Sequence, residues 1–313
     1  MRIFVAITDQ DWFNLHASSV QIDEVNFWRP SPTANFKALQ PGELMLFKLH
    51  SPLNFIAGGG FFTRFLHLPL SLAWESFGRA NGVVSVEEMR MRIGKYRHVD
   101  FASTDNPNVG CILLAEPFFW PRELWIPSPA EFSRNNQVGQ GFDAESGAGK
   151  ALWAAVSERL AVQPPPQIET ATATLSAIES NGYGKPQIVH PRLGQGTFRV
   201  LVTEAYERRC AITGERTLPV LDTAHIMPFS ICQRHELSNG ILMRSDIHRL
   251  FDGGYLTIDP GDRKVVVSKR IRQEFDNGKE YYRLEGQQIR EPNDPAFRPL
   301  TENIEYHAYN RFR

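Results

Sequence analysis

The chain has 313 residues, of which 42% are hydrophobic and 22% are charged, and its formal net charge is −1. This length favours two domains, and the ordinary composition is typical of a globular protein. The near-zero charge excludes a polyelectrolyte, so any surface that binds nucleic acid must be local. No apolar run approaches ~18 residues, and the N-terminus lacks a basic segment followed by an apolar stretch. We therefore expect no membrane span, no signal peptide and a cytoplasmic location.

The first part of the chain consists mainly of predicted strands: RIFVAI, EVNFW, ELMLFKLH and FIAGGGFF, separated by Pro and Gly. Two helical stretches follow, LPLSLAWESFGRANG and SVEEMRMRIGKYR, and the second opens with the S-x-x-E pattern of a capping box. CILLAEPFFW is a further predicted strand, and AGKALWAAVSERLAV a further helix. These elements predict an α+β protein whose residues 1–162 form a small, barrel-like domain with attached helices.

The amino-acid composition changes at residue 163, where the sequence becomes rich in Pro, Thr, Ser and Ala and shows little hydrophobic periodicity. We interpret residues 163–190 as a linker and residues 191–313 as a second domain, which begins with the helical pattern TFRVLVTEAYERRC. Between Lys185 and Glu274 there are 14 Lys/Arg against 10 Asp/Glu, a mild local excess of positive charge.

Cysteine usage gives no sign of a disulfide framework or of a thiolate zinc knuckle. Cys111, Cys210 and Cys232 are odd in number, and no two of them form a C-x-x-C pair. Cys210 is therefore expected to be a small buried apolar residue.

The second half holds a group of polar residues at fixed spacing. CAITG begins at Cys210, and AHIMP places His225 at the end of a strand-like run. Asn239 follows His225 by 14 residues and precedes His248 by nine. Asp252 lies four residues after His248, about one helical turn, so both side chains are expected on one helix face. An imidazole and a carboxylate placed in this way are candidate ligands for a divalent metal.

The order His, Asn, His resembles the HNH, or ββα-metal, endonucleases of the bacterial restriction type. In that family a two-stranded hairpin delivers the first His, the Asn braces the loop between the strands, and a helix delivers the last His to a metal. The resemblance implies a metal-dependent endodeoxyribonuclease with His225 as general base, Asn239 holding the loop and His248 binding the metal. Asp252 is the expected second ligand. Mg²⁺ or Mn²⁺ would suit these ligands, with Zn²⁺ or Ni²⁺ as alternatives.

One position departs from the family pattern. Many HNH enzymes place a ligand, Asp or His, directly before the base, where this chain has Ala224. Asp222 is the nearest upstream carboxylate, but residues three apart on a regular strand point to opposite faces. Asp222 is therefore either a ligand brought in by a bulge or bend, or a strand-end carboxylate bonded to nearby backbone.

Arginines around the motif are candidates for contacts with DNA phosphates, although each alone also suits a solvated surface charge. The candidates are Arg199, Arg209, Arg244 and Arg249. Arg249 is favoured because it directly follows His248.

The densest feature of the first half is DEVNFWRPSPTANFKALQPGELMLFKLH. An aromatic strand, a Pro-rich loop and a P-G-E turn before the next strand resemble PUA-superfamily barrels, including EVE and related modified-base readers, over roughly residues 1–120. A base reader needs an aromatic face for the extruded base and amides for its polar edge. Trp12, Asn26 and Trp28 are the candidate pocket residues. Asn26 and Trp28 share strand parity, so Phe27 is expected in the core.

The two resemblances together imply an enzyme that hydrolyses phosphodiester bonds of double-stranded DNA near a modified base in foreign or phage DNA. One alternative is an HNH nuclease whose first domain binds unmodified DNA or a protein partner. Another is a DNA-binding module without catalysis. With one HNH site per chain, cutting both strands would require a homodimer or two molecules acting in turn.

Overall fold

The computed structural model describes residues 1–19, 22–133, 135–162 and 193–313. The chain divides into two units, Met1–Arg192 and Leu193–Arg313. The predicted linker, residues 163–190, lies outside the described residues, so the predicted domain limits stay a prediction. No helix in the described ranges is long and apolar enough to cross a membrane.

The first unit combines one large sheet with flanking helices. Its strands are β1 (Arg2–Thr8), β2 (Glu24–Arg29), β3 (Leu44–Leu49), β4 (Phe55–Pro69), β5 (Asn108–Phe119), β6 (Ile126–Pro127) and β7 (Gly139–Asp143). Its helices are α1 (Gln10–Ala17), α2 (Leu70–Phe77), α3 (Val86–Arg97) and α4 (Gly147–Val162). Helix α3 begins at the expected cap, where the Ser85 hydroxyl accepts a hydrogen bond from the backbone N–H of Glu88 at 3.2 Å.

The sheet has the strand order β2-β5-β4-β3-β1-β7, with β6 paired to β4. Strand β1 runs parallel to β3, and the other pairs are antiparallel. Among the described residues, the terminal strands β2 and β7 do not pair with each other. The mixed α+β class is therefore confirmed, whereas the closed PUA-like barrel is not.

The first four residues of strand β3 are apolar because both faces of the strand are buried. Leu44 and Leu46 belong to one core cluster, and Met45 and Phe47 belong to another. All four side chains are fully buried. Because successive strand residues point to opposite faces, the sheet has a packed core on each side at this strand.

The second unit contains two small antiparallel sheets and short helices. Its strands are β8 (Leu221–His225), β9 (Gly240–Arg244), β10 (Leu256–Ile258) and β11 (Val265–Val267). Its helices are α5 (Gln195–Ala205), α6 (Phe229–Cys232), α7 (Ser245–Asp252), α8 (Arg270–Phe275), α9 (Lys279–Tyr282) and α10 (Thr301–Asn310). A single core cluster extends from Phe198 on α5 to Ile304 on α10.

The β8–β9–α7 segment has the predicted ββα order. Strands β8 and β9 pair without a register shift, from Leu221 opposite Arg244 to His225 opposite Gly240. The first residue of β9 is Gly240, and the packing leaves no room for a side chain at this position. A Cβ there would lie 2.4 Å from Val202 Cγ2 on α5. The glycine lets α5 pack closely against the hairpin that carries His225.

A buried histidine joins α10 to α7. His307 is 2% exposed, and its ring stacks on Phe251 with centroids 3.5 Å apart. Its Nε2 lies 3.0 Å from the Phe251 carbonyl oxygen, which can only accept, so Nε2 carries the proton. Its Nδ1, 2.8 Å from Thr257 Oγ1, then accepts from the hydroxyl. The neutral ring is fully satisfied, and burial lowers the pKa of His307 to about 4.

We expect His307 to make stability depend on pH in the acid range. An unfolded histidine has a pKa near ~6.5, so the unfolded chain binds the proton first as the pH falls. The free energy of unfolding should therefore drop by up to about 3 kcal/mol between pH 6.5 and 4. Denaturant unfolding of wild type and His307→Gln at several pH values checks this. Their difference in unfolding free energy should shrink toward pH 4, and a constant difference would contradict the assignment.

Candidate active site

His225 ends β8 and is partly buried against α5. Its ring stacks on Phe198 with centroids 4.2 Å apart and planes 11° apart. Its Nε2 lies 3.0 Å from Nδ1 of His235. Burial, followed by the charges of His235 and His248, lowers the pKa of His225 to about 4. At neutral pH this imidazole is therefore uncharged and able to accept a proton.

Asn239 lies in the connection from β8 to β9 and is 2% exposed. Its Oδ1 accepts a hydrogen bond from the backbone N–H of Met227, and its Nδ2 donates to the carbonyl oxygen of the same residue, both at 2.8 Å. Its own carbonyl oxygen accepts from the N–H of Ile226 at 2.9 Å. These bonds tie the two ends of the connection together directly after His225.

His248 and Asp252 share one face of α7, whereas Ile247 and Phe251 are buried on the other. The Nε2 atom of His248 lies 3.2 Å from Asp252 Oδ2. The Nδ1 atom of the same ring lies 3.6 Å from Asp222 Oδ2 on β8. The imidazole therefore lies between two carboxylates, one at each nitrogen.

The two carboxylates set the charge of His248. Burial opposes a charge on the ring, but the hydrogen bond and charge of Asp252, together with Asp222, outweigh it and raise the pKa of His248. Burial also opposes charge on Asp252, whereas His248, Arg311 and His307 favour it and lower the pKa of this carboxyl. The charges of His248 and Asp252 both act on His225. The predicted base is on β8, and the helix that carries the predicted ligands contacts the same strand through His248 and Asp222.

The donor set suits two-point attachment of a divalent metal. Among the described residues, no group of three or more His, Cys, Asp or Glu side chains is placed to hold a metal ion. However, the 3.2 Å between His248 Nε2 and Asp252 Oδ2 is close to the ~3 Å expected between two neighbouring ligands with bonds of ~2.0–2.2 Å. Ions such as Mg²⁺ keep several waters and need few protein ligands. His248 and Asp252 therefore fit such an ion.

The sequence left two roles open for Asp222: a metal ligand brought in by a bulge or bend, or a strand-end carboxylate bonded to backbone. The structure places its carboxylate in a third position, beside His248. No bulge interrupts the pairing of β8, so none redirects the side chain. Its carboxylate lies at the Nδ1 edge of His248, away from the Nε2 atom that faces Asp252. In metal sites a carboxylate at the second nitrogen orients the ligating histidine. This geometry matches that role, although 3.6 Å is longer than a hydrogen bond.

The four candidate arginines differ in the exposure of their guanidinium groups and in the contacts that these groups make. Arg244 forms an ion pair with Asp246, with Nε 2.9 Å from Oδ1. Arg209 has a buried Nε for which residues 193–313 and the other described ranges provide no hydrogen-bond partner, and Arg199 is partly buried on α5. Arg249 is exposed on α7, and among the described contacts its guanidinium makes none. Arg249 is therefore the arginine best placed to meet a phosphate beside His248.

Two residues of the site were not singled out from the sequence. His235 lies in the irregular stretch after α6, and no repeating pattern relates it to His225. Arg311, which follows α10, donates a hydrogen bond to the carbonyl oxygen of Asp252 at 2.8 Å. Its contact spans 59 residues of sequence, so only the folded chain reveals it.

In the first unit the three predicted pocket residues lie around the turn at Asn81. Asn26 is fully buried and donates from Nδ2 to Asn81 Oδ1 at 2.8 Å, and Trp28 donates from Nε1 to the Asn81 carbonyl oxygen at 2.8 Å. Trp12 is 6% exposed in a core cluster, where its ring packs 5.3 Å from that of Phe27. The shared face of Asn26 and Trp28 and the core packing of Phe27 agree with strand parity.

The similarity of this chain to solved structures is weak. Two solved structures, both mutant forms of the protein ZmASCH from Zymomonas mobilis, have TM-scores of 0.32 and 11% sequence identity with this chain. They cover 49% of this chain, and 96% and 95% of the ZmASCH chains. These values are too low to assign a fold. No curated protein matches the chain.

The second unit gives a clear match. Residues 210–259 match the model of a family described as HNH endonuclease, HNH_2. The match begins at Cys210, includes His225 and His248 and extends through β10, so it covers the whole ββα segment. Residues 210–259 are therefore similar in sequence to HNH endonucleases, and they contain the ββα segment.

Proposed function

We propose that this protein is a divalent-metal-dependent DNA endonuclease that cuts near a modified base. The observation that carries the nuclease part is that one ββα segment holds His225 on β8 and the His248–Asp252 pair on α7, where His248 also lies 3.6 Å from Asp222 on β8. Hydrolysis of a phosphodiester needs a base for water and a cation for the charge on the phosphate. The proposed substrate is double-stranded DNA, and the proposed location is the cytoplasm.

Each polar residue of the site has a distinct part in this proposal. His225, neutral at physiological pH, accepts a proton from the attacking water. Asn239 holds the connection that follows His225. His248 and Asp252 would hold the divalent ion. The positive charge of the ion would stabilise the phosphate and the leaving oxygen. Asp222 orients the ring of His248 from its other nitrogen.

Arg249 is expected to contact a phosphate and Arg244 to contribute less. Arg249→Ala should weaken binding to all DNA sequences and lower the slope of log affinity against log salt by about 1. Arg244→Ala is the matched comparison because Asp246 already neutralises its charge. Fluorescence anisotropy with labelled duplexes at several salt concentrations measures both slopes. Equal slopes for wild type and Arg249→Ala would remove Arg249 from the interface.

The proposal that the first unit reads a base draws support from polar atoms around Asn81. Asn26 Oδ1 and Trp12 Nε1 are buried, and the described part of the chain offers neither of them a hydrogen-bond partner. Such atoms are costly in a folded protein, and a bound ligand is one way to satisfy them. Trp12 also lies against Gly82, where a Cβ would be 1.8 Å from its ring. Trp28 is the pocket candidate whose ring is partly exposed, so it is the one proposed to stack on the base.

The test is cleavage of a panel of duplexes that carry cytosine, adenine or thymine modifications beside their unmodified twins. We expect metal-dependent cutting near one class of modified base. Equal cutting of all duplexes would leave a nuclease with a different role for its first unit, and no cutting with any metal would leave a DNA-binding module.

Trp28→Ala is expected to remove most of the preference for the modified duplex. Loss of a base–aromatic stack costs ~1–3 kcal/mol, or roughly five- to a hundredfold in affinity. Binding is measured in a full-length His225→Ala background to prevent cutting, and the salt-dependent, non-specific component should remain. Thermal melts accompany the binding curves. A variant that melts like its parent but keeps the preference would contradict the stacking role.

A further inference from the structure

His235 forms the only side-chain hydrogen bond of His225 among the described residues. Its Nδ1 lies 3.0 Å from His225 Nε2, and the two ring centroids are 5.1 Å apart. The residue is partly buried in the connection between α6 and β9. The HNH pattern of His, Asn and His does not include it, and the mechanism described above does not use it.

Aromatic packing fixes the orientation of both imidazoles. His235 stacks on Phe229 with centroids 4.4 Å apart and planes 19° apart. His225 stacks on Phe198, which is 1% exposed. Each ring therefore has a flat partner, so the pairing of Nε2 with Nδ1 is set by packing as well as by the hydrogen bond.

The position of the proton between the rings decides whether His225 can act as a base. A neutral imidazole has one N–H and one lone pair. If His225 Nε2 donates to His235 Nδ1, the lone pair of His225 is on Nδ1 and can accept a proton from water. If His235 donates instead, the lone pair of His225 is already occupied and its Nδ1 carries hydrogen. Only the first arrangement supports general-base catalysis.

We propose that His235 is a positioning residue: it accepts the Nε2–H of His225 and so holds His225 in the tautomer whose Nδ1 is the base. This inference rests on the proposed nuclease function. In the reaction, one O–H bond of water breaks and its proton moves to His225 Nδ1, while Nε2–H stays bonded toward His235. The lone pair of His235 then faces the imidazolium that forms, as the carboxylate does in a serine protease triad.

Substitutions at His235 separate hydrogen bonding from packing. Asn places an amide near the position of Nδ1, whereas Gln places it near Nε2. We expect His235→Asn to keep kcat within about tenfold of wild type, and His235→Gln and His235→Ala to lose about a hundredfold, with KM for DNA unchanged. Glu236→Gln, an exposed change in the same connection, is the matched control and should leave kcat unaltered.

The tautomer can be observed without any cleavage. Long-range ¹H–¹⁵N NMR of labelled full-length protein reports which ring nitrogen carries hydrogen, and the His225→Asn spectrum assigns the signal. We expect Nε2–H in wild type and in His235→Asn, and a mixture of tautomers in His235→Ala. An Nδ1–H tautomer in wild type, or wild-type kcat in both His235→Gln and His235→Ala, would overturn the proposal. If the protein cuts no DNA, the proposed function fails, and the NMR result still decides whether His235 fixes the tautomer.

Discussion

His225→Ala is expected to lower the rate constant of DNA cleavage by about 10³-fold while affinity for DNA stays near that of wild type. The reason is that general-base catalysis by a positioned side chain contributes ~10²–10⁴-fold, whereas DNA affinity comes from phosphate and base contacts elsewhere. Single-turnover nicking of supercoiled plasmid gives the rate constant, and fluorescence anisotropy gives the affinity.

Controls are needed because His225 also packs on Phe198. His225→Asn keeps a planar polar group, and thermal melts of both variants show whether the fold survives. His98→Asn removes an exposed histidine at the end of α3. Asn tolerates the left-handed conformation at that position, so this control should cut at the wild-type rate. Near-wild-type cleavage by a folded His225→Ala protein would exclude His225 as the base.

His248→Ala is expected to weaken metal binding at least ~100-fold, and Asp252→Ala about tenfold. The ranking follows from exposure: the Asp252 side chain is 60% exposed, so water can replace its oxygen, whereas the His248 side chain is 23% exposed. Asp222→Asn should cost about tenfold, as is typical when the partner of a ligating histidine is lost. Mn²⁺ titration followed by electron paramagnetic resonance measures each affinity, and excess Mn²⁺ should restore cleavage by Asp252→Ala.

Asp246→Asn is the matched control for the metal experiments. Asp246 is also an acid on α7, but it forms an ion pair with Arg244 and does not face His248. Its substitution should leave the affinity for Mn²⁺ unchanged. If Asp252→Ala and Asp246→Asn behaved alike at limiting metal, Asp252 would be a surface carboxylate and the ion would be held by other groups.

The order and spacing of His225, Asn239 and His248, through their resemblance to the HNH family, were sufficient to predict the ββα segment. The four-residue interval between His248 and Asp252 placed both on one helix face, as the structure has them. What spacing could not give was the partner of Asp222. That carboxylate meets His248 because α7 packs across β8, which is a tertiary contact with no periodic signature.

His235 was missed for a related reason. Its contact with His225 depends on the conformation of an irregular connection, and such segments have no fixed period from which to infer facing residues. In the first unit, most strands were predicted from their composition, but the predicted barrel was not confirmed. Strand order depends on pairings between distant segments, such as β2 with β5, and composition does not encode them.

The segment that matches the HNH family is shorter than the body that folds around it. Phe198 before the segment and Ile304 after it belong to the same core, and Arg311 holds the carbonyl oxygen of Asp252. A fragment limited to residues 210–259 would expose apolar side chains of this core to water. It would also lose the hydrogen bond from Arg311 to Asp252, a predicted metal ligand. A transfer of the proposed nuclease unit to another protein should therefore include Leu193–Arg313 as one piece.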